Sequence, residues 1–134
     1  MSKAGESLLL DSSVIVFGFK SHPAVLDVLD QSVQIYVPVI AYGELYNGAL
    51  KSQAPEKKLK QLGEFIKATT LLDVDWHTAQ CYGKVRRRLE EKGRPISEND
   101  IWIAALALQH SLRLFARDQH FNEIKGLDVL QLND

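Results

Sequence analysis

The sequence predicts an α/β fold built around a parallel sheet. Short apolar runs of strand length alternate along the chain with longer segments in which apolar residues recur at helical spacing. This alternation is typical of βαβ units, in which helices connect parallel strands. The chain has 134 residues, 46% of them apolar and 25% charged, which indicates one globular domain over residues 1–134.

An early apolar run predicts the first strand and the first helix. Residues 7–10 form the strand, which ends at Asp11, and the helix begins near Ser12 or Ser13, where a hydroxyl can cap free backbone N–H groups. The helix is unusually apolar, because it contains Val14, Ile15, Phe17 and Phe19. Either this whole surface is buried against the sheet or part of it faces a partner.

Helices are predicted on both sides of the second strand. After Pro23, apolar residues at helical spacing predict one helix, and residues 34–37 then form a strand that Pro38 closes. Because proline suits the first turn of a helix, residues 39–50 are predicted to form the next helix, with Glu44 in its middle. A polar, turn-like segment and a fourth amphipathic helix follow.

The next predicted helix is the most basic part of the chain. It follows a strand at residues 70–74, begins after a cap at Asp75 and ends at Gly93. Within it and just beyond it lie Arg86, Arg87, Arg88 and Arg94. These arginines form either a solvated helix face, paired with neighbouring glutamates, or a contact for a nucleic-acid backbone.

The last third of the chain places two aspartates at structural boundaries. A helix is predicted to begin at about Asn99 or Asp100, and residues 112–116 form a fourth strand that Asp118 follows almost at once. A short helical turn then leads to a last strand near Val129. Both aspartates therefore stand where loops join the sheet to its helices.

Composition excludes several classes of function. No apolar run approaches the ~20 residues that span a bilayer, and the polar N-terminus does not resemble a signal peptide, so a cytoplasmic protein with no membrane role is expected. A formal net charge of −1 gives no overall basic character for binding nucleic acid. Cys81 is the single cysteine, so neither an internal disulfide nor a cysteine zinc site is predicted.

Four carboxylates occupy positions that can converge on one cleft. Asp11 and Asp118 follow apolar strands. Asp100 opens a helix, and Glu44 sits beside small residues within one. In open parallel sheets, ligands bind beyond the carboxyl ends of the strands, where the loops meet. Each acid alone has a simpler explanation, since aspartates cap helices and a helical glutamate is usually solvated.

Gathered together, these acids would require a cation. Like charges repel and raise one another's pKa unless a cation neutralises them. Oxygen ligands without paired His or Cys suit Mg²⁺ or Mn²⁺, and Zn²⁺ and Ca²⁺ are expected to serve such a site poorly. The histidines stand apart in the sequence without metal-ligand spacing, so surface or supporting roles are predicted for His22, His77, His110 and His120.

The chain resembles PIN-domain nucleases in successive motifs. These motifs are LLLDSSVIV, VIAYGELYNGA, ENDIWIAALA and LFARDQHF, in the order and spacing of that family. The resemblance covers essentially the whole chain, and the length is most similar to VapC-type toxins of prokaryotic toxin–antitoxin pairs. It implies a three-layer α/β/α fold with a central, mainly parallel sheet. It also implies that the catalytic metal ligands are Asp11, Glu44, Asp100 and Asp118.

The function implied by this resemblance is that of an endoribonuclease. Such an enzyme hydrolyses RNA phosphodiester bonds with Mg²⁺ or Mn²⁺ as its cofactor. The resemblance further implies a homodimer and a separate antitoxin, whose C-terminal segment lies in an apolar groove and offers a basic side chain to the acids. The arginines of the basic helix would then contact RNA.

Several neighbouring residues are expected to support the acids. Ser13 matches a family position that often carries Asn or Ser beside the first acid, although helix capping explains it equally well. Asn99 and Glu98 can touch the cation or its waters, and Arg117 can hold a phosphate or pair with a carboxylate. One position departs from the family, because Ala116 stands where a Thr or Ser usually precedes the last Asp by two residues.

Two other classes of protein also gather acids around Mg²⁺, but this chain lacks residues that they need. Haloacid-dehalogenase-like phosphatases need a second Asp two residues after the first, where this chain has Ser13. Response-regulator receivers need paired early acids and a late Lys, where Arg117 stands. The stronger alternative is a non-catalytic PIN fold that binds RNA or protein. Degenerate members usually lose acids, whereas all of them are present here, and a metal-dependent cleavage assay separates the two.

Overall fold

The computed structural model describes residues 5–133 and confirms the predicted alternation of strands and helices. No helix within that range is long and apolar enough to cross a membrane. The elements occur in the order β1 (Ser7–Leu10), α1 (Ser12–Phe19), α2 (Pro23–Gln31), β2 (Gln34–Pro38), α3 (Val39–Lys51), α4 (Pro55–Lys67), β3 (Thr70–Leu72), α5 (Trp76–Lys92), α6 (Glu98–Gln109), β4 (Arg113–Ala116), a 3₁₀ helix (Gln119–Glu123) and β5 (Val129–Gln131).

The strands form one parallel sheet in the order β3-β2-β1-β4-β5. β1 lies in the middle, where Leu9 pairs with Tyr36 of β2 on one side and with Leu114 of β4 on the other. The chain builds the sheet outward from β1 to β3 and then crosses to the other side of β1 for β4. The strand order therefore reverses between β1 and β4, and their carboxyl ends flank the crevice in which parallel sheets bind ligands.

Helices cover both faces of this sheet. Leu8, Leu9 and Leu10 are each 0% exposed, although neighbouring side chains of a strand point to opposite faces. α3 packs against α1 and α4, and α5 packs along α6. The predicted three-layer α/β/α fold is therefore confirmed, and all the strand pairs of the sheet are parallel.

The sixth helix begins earlier than the sequence predicted. Its first residue is Glu98, not Asn99 or Asp100. Ser97 is the N-cap, and its Oγ accepts a hydrogen bond from the backbone N–H of Asp100 at 3.3 Å. A serine hydroxyl thus takes the capping role, which leaves the Asp100 carboxylate available for other contacts.

The cap of α1 and the end of β3 also differ from the prediction. The N-cap of α1 is Asp11, not one of the two serines that follow it. β3 ends at Leu72 and does not continue to residue 74, because Leu72 pairs with Pro38, the last residue of β2. The chain turns into α3 at Val39, so β2 offers no residue with which β3 could extend the pairing.

Candidate active site

Asp11 is a buried carboxylate at the end of the central strand. Its backbone N–H donates to the carbonyl oxygen of Phe115 at 3.0 Å, so the pairing of β1 with β4 continues as far as this residue. Only 3% of Asp11 is exposed, and the Ser13 Oγ donates a hydrogen bond to Asp11 Oδ2 at 2.9 Å. Burial raises the pKa of Asp11 to about 6, and the bond from Ser13 opposes part of this shift. The negative charges of Asp100 and Glu44 contribute to the increase.

Asp100, Asp118 and His120 form a compact group in the same crevice. One ligand atom from each lies within 4.8 Å of the others. His120 Nε2 is 2.9 Å from Asp100 Oδ2 and 4.0 Å from Asp118 Oδ2. The side chain of Asp100, in the first turn of α6, is 16% exposed, whereas that of Asp118, just after β4, is 60% exposed. The first turn of α6 and the segment after β4 therefore each place one acid beside His120.

Glu44 approaches this group from α3. It is an exposed residue, and its Oε2 accepts a hydrogen bond from Asn99 Nδ2 at 3.3 Å. Asn99 directly precedes Asp100 in the first turn of α6, so the bond joins α3 to the helix that carries the acid. The structure thus brings together all the acids that the sequence singled out, namely Asp11, Glu44, Asp100 and Asp118.

Helix capping does not account for the aspartates. Asp11 precedes α1 and Asp118 precedes the 3₁₀ helix, yet within the described part of the chain neither side chain makes the hydrogen bond of an N-cap. At the start of α6, Ser97 is the cap in place of Asp100. Helix capping, the simpler explanation for each aspartate, is therefore not what the structure shows.

The supporting residues proposed from the sequence lie in different surroundings. Glu98 faces α5, where it accepts a hydrogen bond from the Tyr82 hydroxyl and pairs with Arg86 Nη1 at 2.9 Å. The guanidinium carbon of Arg117 lies over the ring of Phe17, 5.2 Å from the centroid. Glu98 is therefore engaged away from the acids, whereas Ser13 and Asn99, described above, contact them directly.

The basic stretch on and after α5 is largely ion-paired. Arg86 and Arg87 are joined to glutamates about one turn further along the helix, at 3.3 to 3.9 Å. Arg94 is 4.0 Å from Glu123, and Arg88 lines a cleft beside α5. The alternative of a solvated, paired helix face therefore describes Arg86 and Arg87 well.

His120 is the residue of this group that the sequence pattern did not single out. The 3₁₀ helix after Asp118 directs its Nε2 toward two acids, a contact that no spacing between histidines can indicate. The sequence predicted a surface or supporting role for His120, and the structure places it in direct contact with two of the acids. The available signal was local, since His120 stands two residues after Asp118 and beside Phe121, which is 0% exposed and fixes the turn in the core.

The donor set fits a divalent cation. Carboxylate oxygens are the ligands that Mg²⁺ and Mn²⁺ accept in proteins. The raised pKa of Asp11 reflects negative charge in a poorly solvated place, and a bound cation would relieve it. His120 Nε2 is buried and has no hydrogen-bond partner among the described residues, so it too can face a cation. The group therefore has the chemistry of a metal centre at the ligand-binding end of the sheet.

Comparisons with known proteins agree with this geometry. The family model described as PIN domain matches residues 8–127. Ribonuclease VapC2 of Haemophilus influenzae is 32% identical over 114 residues, which cover 82% of this chain and 85% of that protein. The tRNA(fMet)-specific endonuclease VapC of Shigella flexneri is 30% identical over 123 residues, which cover 89% of this chain and 92% of that protein.

A solved structure supports the same assignment. The crystal structure of VapBC2 from Rickettsia felis, bound to a DNA fragment from its promoter, contains a chain that matches with a TM-score of 0.87 at 25% identity. The match covers 95% of this chain and 99% of that one. The family model, the relatives and the solved structure therefore all agree with the acid-lined crevice. The chain belongs to the PIN-domain family, among the VapC ribonucleases.

Proposed function

We propose that this protein is a metal-dependent endoribonuclease that serves as the toxin of a toxin–antitoxin pair. The observation that carries the proposal is the convergence of the four acids at the reversal point of the sheet, with no capping role for the aspartates. The names of the relatives, ribonuclease and tRNA(fMet)-specific endonuclease, support RNA as the substrate. An RNA substrate in turn supports a cytoplasmic location.

The proposed ligands of Mg²⁺ or Mn²⁺, bound directly or through water, are Asp11, Glu44, Asp100 and Asp118. When bound, the cation supplies activation of the attacking water and neutralises the charge that develops on the phosphate. Ser13 orients Asp11 through its hydrogen bond, and Asn99 does the same for Glu44. Burial of Asp11 keeps water from one wall of the crevice, which strengthens the charge interactions there.

An apolar groove beside Glu44 is the proposed antitoxin site. It lies between α1, α3 and α4, has a volume of about 250 Å³ and is lined by residues that include Val16, Phe19, Leu45, Ala49 and Leu62. Val16 is 37% exposed, whereas Val14 and Ile15 are buried, so α1 serves both the core and this surface. Glu44, Lys20 and Lys58 also line the groove, so we propose an apolar antitoxin segment whose basic side chain pairs with Glu44. A solved structure that matches at 26% identity, VapBC-5 of Mycobacterium tuberculosis, is a member of the VapBC family of toxin–antitoxin systems. We further propose that the toxin is a homodimer, which light scattering would test.

The test of catalysis is cleavage of RNA by the purified protein. We expect products with Mg²⁺ or Mn²⁺, none in excess EDTA, and recovery when Mg²⁺ is restored, because the acids need a cation to act. Asp100→Asn should lose cleavage, whereas Asp73→Asn, at an exposed acid on the loop before α5, should retain it. A non-catalytic PIN fold would bind RNA without cutting it. Undiminished hydrolysis in EDTA, by protein free of contaminating ribonuclease, would contradict the mechanism.

A further inference from the structure

His120 presents a buried nitrogen to two acids without a hydrogen bond of its own. Its Nε2 is shielded from solvent and has no hydrogen-bond partner among residues 5–133. Asp100 Oδ2 lies 2.9 Å away, but the contact lacks the direction of a hydrogen bond. Buried polar atoms in folded proteins nearly always have a partner, and an exception calls for a bound ion or water. The nitrogen is therefore placed for a partner that the chain does not supply.

The two contact distances are those expected between ligands of a single metal ion. At metal–ligand distances of roughly 2.0–2.1 Å, adjacent ligands of an octahedral ion lie about 3 Å apart and opposite ligands about 4 Å apart. His120 Nε2 is 2.9 Å from the Asp100 oxygen and 4.0 Å from the Asp118 oxygen. These distances are compatible with one ion in contact with all three side chains, whose ligand atoms lie within 4.8 Å of one another.

The ring of His120 is held in position by its buried neighbour Phe121. Phe121, the next residue, is 0% exposed, and the two ring centroids are 4.9 Å apart with a tilted arrangement. The backbone carbonyl of Phe121 accepts a hydrogen bond from the N–H of Ile124 at 3.1 Å, which closes the turn. The side chain of His120 as a whole is 34% exposed, so the crevice remains open to an ion from solution.

We propose that His120 is a further ligand of the catalytic cation and that it makes the site prefer Mn²⁺ to Mg²⁺. The proposal rests on the proposed function, since it requires that the acids bind a divalent cation. Imidazole nitrogen is a softer donor than a carboxylate oxygen. Mg²⁺ takes oxygen ligands and keeps its waters, whereas transition-metal ions accept nitrogen more readily. An oxygen-only site would lack this source of discrimination.

A purely structural role for His120 predicts something different. If the histidine only paired with Asp100 and held it in place, its loss would weaken the binding of every divalent cation to a similar extent. Removal of a nitrogen ligand instead weakens the binding of Mn²⁺ more than the binding of Mg²⁺. The selectivity between the two ions therefore distinguishes a ligand from a positioning residue, and neither measurement requires RNA or cleavage.

The first experiment is pulsed electron paramagnetic resonance of the wild-type protein loaded with Mn²⁺. A coordinated imidazole gives nitrogen modulation of the Mn²⁺ signal, and isotopic labelling of histidine nitrogen alone should change that modulation. His120→Gln, which keeps a polar side chain of similar reach, should abolish the histidine signal. His110→Ala is the matched control, since His110 is exposed at the opposite end of α6 from Asp100 and should leave the signal unchanged.

The second experiment measures Mn²⁺ and Mg²⁺ affinities by calorimetry. For His120→Ala and His120→Gln we expect the dissociation constant for Mn²⁺ to rise on the order of tenfold, while that for Mg²⁺ stays within about threefold. Equal weakening of both ions, or Mn²⁺ bound by the wild type without a histidine signal, would overturn the assignment of His120. Failure of the wild type to bind either ion would instead overturn the proposed metal-dependent function. Circular dichroism confirms that each variant is folded.

Discussion

Asp11 and Asp75 occupy the same kind of position and behave in opposite ways. Each directly precedes a helix that follows a strand. Asp75 is exposed and forms a capping box with Thr78, whose backbone N–H lowers the pKa of the aspartate, and Gln109 donates a further bond to it. Asp11 is buried, makes no capping bond in the part of the chain that the structure describes, and has a pKa raised to about 6.

The difference separates an acid whose charge the fold satisfies from an acid whose charge it leaves poorly compensated. The charge of Asp75 is satisfied by the helix that it begins, so it stabilises the native state. The charge of Asp11 is held in a poorly solvated crevice beside Asp100 and Glu44, where hydrogen bonds from the Ser13 side chain and the Ser12 backbone compensate only part of it. A carboxylate in such a place lowers the stability of the metal-free protein, and a bound cation would offset this cost. The two residues therefore make a matched pair for experiments.

The largest expected contrast is in RNA cleavage. Asp11→Asn should reduce the cleavage rate by more than about a hundredfold, because loss of a residue that only supports a metal ligand already costs about ten- to a hundredfold. Asp75→Asn should leave the rate within about twofold, since the Asp75 carboxylate is engaged in the cap of α5. Single-turnover cleavage of one RNA at saturating Mg²⁺ measures both. Comparable losses in the two variants would remove the distinction between the acids.

The second contrast is in the pH dependence of stability without metal. The ordinary pKa of Asp11 is 3.8 and its folded value is about 6, so folding favours the protonated carboxyl. This contribution is fully present below about pH 4 and is lost as the pH rises through about 6, a change of about 3 kcal/mol. Asp11→Asn should therefore raise the free energy of unfolding near neutral pH and flatten that decline. Urea unfolding in EDTA at a series of pH values measures the difference from wild type, and an equally steep decline in the variant would contradict the raised pKa.

A smaller effect is expected from the residue that supports Asp11. Ser13→Ala removes the hydrogen bond to Asp11 Oδ2, which should raise the pKa of the acid further and reduce cleavage on the order of tenfold. Ser12→Ala is the neighbouring control. If Ser13 served only to cap α1, its loss would lower the melting temperature and leave the rate at saturating Mg²⁺ unchanged.

The smallest expected effect concerns the capping acid. Asp75→Ala should lower the melting temperature by a few degrees at most, because Thr78 loses the acceptor of its backbone N–H at the start of α5. Thermal denaturation near neutral pH measures this change. A gain in stability would show that the charge of Asp75, like that of Asp11, is unfavourable in the folded protein.

The sequence predicted the fold well because the strand runs and helical periods are long enough to be distinctive. The positions of Asp11 and Asp118 after strands also followed from chain order and from the geometry of parallel sheets. Asp100 and Glu44 depended on the family resemblance, since helical acids are common. Their roles as metal ligands remain a prediction.

Local geometry explains what the sequence did not predict. Glu98 and Asn99 are adjacent, but successive residues of a helix point about 100° apart. One therefore reaches Arg86 on α5 and the other reaches Glu44 on α3. The contact of His120 depends in the same way on the 3₁₀ turn, whose exact direction is set by packing and not by spacing in the sequence.

The core anchor at Phe121 should make the proposed active site sensitive to mutations of residues that do not contact RNA. Phe121 is 0% exposed, and the turn that it fixes carries His120 and follows Asp118. In a genetic screen for inactive variants, substitutions at this interior aromatic should therefore appear beside those at the acids. Selection on catalysis would then constrain a buried hydrophobic residue as strictly as a charged one, and variation among relatives at this site would be informative about function as well as packing.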